Sequence, residues 1–198
     1  MTMSLQNLLA MVWRSITNPR EGAEEVLSLG VPRSALWTLL LLVVVLSSIL
    51  GQITTFLLAG ISGAELSGLF AMPIATGVIQ FVVLVGTVYA IHFIGRSFGG
   101  TGTLDEALLL IAWLQFVMVC IQVVQSLFMV IAPPIGSVIG IVALALFMWL
   151  LTNFVAVIHG FRSLGQVFTM ILLSLFGIAF ILSIILTIFG LTPPGAPV

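Results

Sequence analysis

Residues 125–140 read QSLFMVIAPPIGSVIG, and the Pro133-Pro134 pair at their centre decides how often this chain crosses a bilayer. Of 198 residues, 61% are hydrophobic and 6% charged, with a mean hydropathy of +1.37. A water-soluble core of this length needs nothing so apolar, and the chain reads as a membrane protein. Charged residues cut it into uncharged runs at 34–64, 66–95, 107–161 and 163–198. A crossing helix needs about 20 residues, so three runs hold one span each and the longest holds two. Two consecutive imino acids remove two amide donors and end a helix, which places the division at Pro133-Pro134. The expected fold is all-α and polytopic, with five transmembrane helices near Leu36–Leu58, Pro73–Gly95, Ala107–Val130, Ile135–Ile158 and Leu164–Phe189. This divides the chain into an amphipathic segment at 1–33, a membrane domain at 34–190 and a short tail at 191–198.

Lysine is absent, and the five cationic residues are all arginines. Arg14, Arg20 and Arg33 precede the first span, Arg96 lies between the second and third, and Arg162 between the fourth and fifth. With five crossings they share one side, whereas Glu65 and uncharged turns occupy the other. The positive-inside bias makes the arginine side cytoplasmic, with the C-terminus across the membrane. No basic residue precedes the first apolar patch, so no cleavable signal is expected and the mature chain would begin at Met1. A net charge of −1 offers no surface for a polyphosphate backbone, which excludes nucleic acid as a partner. Cys120, alone, can form neither an intrachain disulfide nor a cysteine metal site.

Before the first span, Leu5, Leu8, Leu9, Val12, Trp13 and Ile16 recur at spacings of one helical stripe. The segment is too short to cross. It reads as an interfacial helix with Trp13 at headgroup level, as a helix seated on the end of the bundle, or as a docking face for a soluble partner. A second helix is expected from Asn18-Pro19-Arg20-Glu21, which combines an N-cap side chain with proline at the first helical position. Gly30 and Pro32 would end it. Its Glu21, Glu24 and Glu25 suit a solvated face or a partner-binding patch.

The decapeptide FGGTGTLDEA at 98–107 has the glycines of a phosphate loop. It lacks the lysine and Ser/Thr of a P-loop and the preceding strand of a dinucleotide loop. Thr103 and Glu106 instead have capping-box spacing, and Asp105 favours the same helix start. In this reading Gly99, Gly100 and Gly102 turn the chain, and Arg96, Arg162 and this loop form the cytoplasmic connections.

Asn18-Pro19, Gly99-Gly100-Thr101-Gly102, Pro133-Pro134 and Gly160 to Ser163, in that order and spacing, resemble the Yip family of five-span membrane proteins over about residues 15–190. The resemblance implies a bacterial member in the inner membrane, with a periplasmic C-terminus. Eukaryotic relatives bind prenylated Rab GTPases and act in vesicle traffic and membrane shaping. This chain lacks their long polar N-terminal tail and Asp-Leu-Tyr-Gly-Pro stretch, so a Rab-type GTPase is not expected as its partner. The third span, with IAWLQFVMVCIQ at 111–122, also lacks the mid-helix proline of the pattern.

No Asp, Glu or Arg lies deep in a span, which argues against a proton-coupled carboxylate relay. Gln52, Gln80 and Gln122 fall at similar depth and are expected to meet. An inner layer would pair Gln115 with Asn153, and the heptad face Gln115, Met118, Gln122, Gln125, Met129 should turn toward other helices. Such amides are interhelical glue, at about 0.6 kcal/mol each, or line a path for a small solute. His92 and His159 sit near the same membrane boundary; interfacial packing suits them better than a two-ligand metal site. Ser62, in a G-x-S-G run, is expected at the far end from both histidines, roughly 20 Å or more away, whereas proton transfer needs contact near 3 Å. Gly136 and Gly140 form a small-xxx-small pair for close packing within the chain or between copies. The expected function is non-catalytic and without a cofactor: binding or organising membrane lipid, another integral membrane protein, or a second copy. The alternative is a small transporter or translocase subunit with a glutamine-lined interior.

Overall fold

A computed structural model describes residues 4–63 and 72–188. Glu65, residue 189 and the 191–198 tail lie outside the described residues. Among the described residues there are seven helices and no strand. They are α1 (Leu5–Thr17), α2 (Pro19–Ser28), α3 (Arg33–Ser62), α4 (Pro73–Ser97), α5 (Leu104–Ile131), α6 (Pro133–His159) and α7 (Leu164–Ile188). Helices α3 to α6 are each long and apolar enough to cross a membrane, and α7 adds a further apolar helix.

Helices α3 to α6 run past the expected ends, which marked only the roughly 20-residue stretch that a crossing needs. A backbone already hydrogen-bonded continues through Arg33 and Ser62 until its geometry changes. At α3 the change is Gly63, with φ +69°, a left-handed conformation that glycine adopts without Cβ strain. Ala132 ends α5 and also precedes Pro133 at the first position of α6, where a missing amide donor costs nothing. Asn18 is shared by α1 and α2 in the same way. Its side chain makes no capping bond to the backbone and instead sets Nδ2 3.4 Å from the Glu21 carboxylate. Asn18 thus holds the expected N-cap position without its side-chain bond, because it is also the C-cap of α1, its backbone N–H donating to Arg14 O at 2.7 Å.

Helix α5 is the hub. Its first turns, Ala107 to Leu114, are buried on every face, enclosed by α2, α3, α4 and α6. The facing stretch Leu150–Ala156 of α6 is buried as well. Gly136 and Gly140 of α6 lie against Met129 and Gln125 of α5, where an added Cβ would fall 2.7 Å from the Met129 backbone and 2.6 Å from Gln125 Nε2. The small-residue pair thus serves contact within the chain. Leu41, Leu42, Val82, Val83, Leu173 and Phe176 remain exposed on α3, α4 and α7. So broad an apolar surface is matched by lipid rather than water.

Candidate functional site

The end of the bundle that carries the arginines is built from segments far apart in sequence. Arg14 pairs with Glu25 at 3.0 Å, Arg33 lies 3.3 Å from Asp105, and Arg20 donates to the Arg162 carbonyl at 3.4 Å. Arg96 occupies the last turn of α4. These exposed contacts contribute little energy, but they tie α1 to α2, α2 to the α6–α7 loop and the start of α3 to the start of α5, and Gly102 of the α4–α5 loop bonds to His159 at the same end.

The α1 stripe divides between two surroundings. Met11, Val12 and Ser15 are buried and Leu8 and Ile16 half-buried against the bundle. Leu5, Leu9 and Trp13 point away from it, 71%, 52% and 68% exposed. The seat is polar at one point: Trp113 Nε1, on α5, donates to the fully buried Ser15 Oγ at 2.9 Å. Gly22 of α2 lies against Ser15, where an added Cβ would come within 2.7 Å of Ser15 Cα. Sequence reasoning missed Ser15 because a single serine on a helix otherwise read by its apolar stripe looks like solvated surface. Ser15→Ala leaves a buried indole N–H without an acceptor, at a cost of about 1–3 kcal/mol. Trypsin should then cut faster after Arg14 and Arg20 in the detergent-solubilised protein; unchanged cleavage would mean that this bond does not hold α1.

The glycine-rich loop encloses a side chain. Gly99, at φ +86°, ends α4 with Gly100 N–H on Gly95 O and Gly99 N–H on Arg96 O, at 2.9 and 3.0 Å. This is the paired-carbonyl stop that glycine permits. Thr103 then starts α5 through a complete capping box with Glu106. Between these two signals, Gly100 and Gly102, together with Gly95 of α4, surround the His159 ring, which is 3% exposed. A Cβ on any of the three would collide with His159, or with Ile158 beside it. His159 Nδ1 accepts from Gly102 N–H at 3.2 Å, and Nε2 lies 3.0 Å from the Ile91 carbonyl. These partners specify the neutral ring with its proton on Nε2. With both nitrogens engaged by backbone, His159 locks three helix ends together and has no lone pair free for a metal.

At mid-bundle, Gln80 and Gln122 converge on α3. Gln80 Nε2 donates to Ser47 Oγ at 2.7 Å and its Oε1 accepts from Ser48 Oγ at 3.0 Å. Gln122 Nε2 donates to Ser47 O at 3.2 Å. Gln52 stands apart, donating to Thr76 Oγ1 at 3.2 Å with its own Oε1 buried and unpartnered. Asn153 Nδ2 donates to Trp149 O in its own helix at 2.8 Å. Among the described residues, no hydrogen bond joins it to Gln115, because a shorter local acceptor satisfies the amide. The heptad face of α5 is half-buried throughout. Serines 47 and 48, which collect these amides, carried no sequence signal beyond polarity in an apolar run.

Two grooves open beside these features. One of about 540 Å³ lies between α3 and α4 beside Ser48, Gln52, Phe56 and Phe81. The other, about 1230 Å³, lies between α1–α2 and the arginine-end halves of α3 and α5. A model of the Yip1 domain matches residues 13–190. No curated protein and no solved structure matches the chain.

Proposed function

We propose, because this chain belongs to the Yip1 domain family, that it is a multi-pass membrane protein that acts without catalysis, organising a membrane-protein or lipid partner at its arginine end. In this reading it crosses a bacterial inner membrane five times, with the N-terminus cytoplasmic and the C-terminus periplasmic. Helix α7, of 25 residues, is about 37 Å long, enough for the fifth crossing. The partner is another integral membrane protein, a second copy or lipid, and not a Rab-type GTPase.

The observation that carries this proposal is that α1, α2 and the two loops are tied together at one end of the bundle. Leu5, Leu9 and Trp13 stand out from it, suited to the headgroup layer or to a partner's apolar face. The engagement of Gln80 and Gln122 in bonds to α3 favours a packed interior over a solute path. A photo-crosslinking residue placed at exposed Glu24 or Arg162 should, in living cells, yield a discrete adduct with a membrane protein or with the chain itself. The same probe at Pro134, at the opposite end, should not. Adducts confined to Pro134, or none at any position, would end the partner-protein form of this proposal.

A further inference from the structure

The larger groove has the length, the walls and the charges of a phospholipid site. It is bounded by Pro32 at one end and Leu46 on α3 at the other. Those fourteen residues of helix rise about 21 Å. Half of a 30 Å hydrocarbon core plus one interfacial layer is about the same depth. One wall is Leu39, Leu42 and Leu46 of α3, and the facing wall is Trp113 and Phe116 of α5. Leu42 and Leu46 are exposed along it, so the groove is open sideways to the bilayer. Its volume exceeds that of a drug-sized pocket.

Among the described residues, the charged lining at the headgroup end is Arg14 and Glu25. Arg14 Nη1 holds Glu25 Oε1 at 3.0 Å, and the guanidinium is otherwise turned outward, its side chain 53% exposed. Glu25 Oε2 is buried and has no hydrogen-bond partner. A desolvated carboxylate oxygen without a donor is costly. What this pair lacks is a cationic donor for Oε2 and an anion for the free edge of Arg14.

We propose that the groove binds one phospholipid with a primary-amine headgroup, of the phosphatidylethanolamine class. Its phosphate sits on Arg14, its ammonium donates to Glu25 Oε2 once the carboxylate turns that buried oxygen into the groove, and an acyl chain lies between α3 and α5. A choline headgroup has no N–H to give, and a glycerol headgroup brings no positive charge to the carboxylate. The inference rests on the proposal that the arginine end meets one leaflet.

The test uses the full-length protein, delipidated in mild detergent and offered equal amounts of phosphatidylethanolamine, phosphatidylcholine and phosphatidylglycerol with identical acyl chains. Retained lipid is read by native mass spectrometry. The ethanolamine lipid should be retained about tenfold over the choline lipid, as one charge-assisted hydrogen bond of about 1.4 kcal/mol provides. Glu25→Gln should bring that ratio to about one, and Leu46→Trp, which fills the groove, should lower retention of all three. Equal retention of the three by the unaltered protein, a preference for the glycerol lipid, or a lipid-free dimer would each overturn the proposal. No partner protein enters this assay, and the crosslinking experiment does not depend on headgroup, so either proposal can fail while the other stands.

Discussion

Gly102→Ala should lower the stability of the detergent-solubilised protein by about 2–3 kcal/mol and Gly95→Ala by about 1–2 kcal/mol, read as an earlier midpoint of denaturant unfolding and lower yield. The new Cβ meets the His159 ring at Gly95, and Ile158 and the ring at Gly102. The ring cannot step aside, because its two nitrogens are held by Gly102 N–H and the Ile91 carbonyl and the third glycine closes the remaining side. Overpacking a rigid site costs about 1–3 kcal/mol, occasionally more. At Gly95 the helix propensity gained from alanine, about 1 kcal/mol, offsets part of that. Gly86, also in α4, has no neighbouring atom within 4 Å of where an added Cβ would fall, so Gly86→Ala should be neutral or slightly stabilising. Equal behaviour of Gly86→Ala and Gly95→Ala would show that the histidine enclosure does not hold the helix ends together.

The second large effect is all-or-none. In a Cys120→Ala background, thiols placed at Thr101, Pro134 and Ala196 should divide by side in a bacterial inner membrane. A membrane-impermeant maleimide added outside should label Pro134→Cys and Ala196→Cys and leave Thr101→Cys unmodified until the membrane is opened. The expectation follows from five crossings with the arginines inside. Labelling of both positions 101 and 196 by the external reagent would replace five crossings by an even number and remove the cytoplasmic assignment of α1 and α2.

The division of the chain into helices was legible in the sequence because its signals are local. Charges bound the apolar runs, Pro133-Pro134 breaks the longest, and Thr103 with Glu106 starts α5 within four residues of chain. The family match over 13–190 agrees with the resemblance carried by the glycine and proline landmarks. What could not be read was the meeting of distant segments. The glycines at 100 and 102 looked like a turn, and His159, 57 residues from Gly102, looked like an interfacial ring. A cluster of glycines predicted at the same membrane boundary as a histidine was the signal that could have joined them. The α1 stripe was found but not its division, because periodicity reports that a face is apolar and not whether protein or lipid covers it. Gln80 and Gln122 both reach Ser47 of α3, yet nearby hydroxyls and carbonyls compete for the hydrogens of these amides. Gln52 accordingly bonds to Thr76 and not to the other two.

The bond from Trp113 to Ser15 also sets a schedule. Its two ends are 98 residues apart, and the ribosome makes the acceptor first. For about half of its synthesis, then, the chain carries its two short helical segments with nowhere yet to sit. During that wait, the greasy ridge of Leu5, Leu9 and Trp13 can moor the pair to the bilayer surface, beside the place where its permanent berth will emerge.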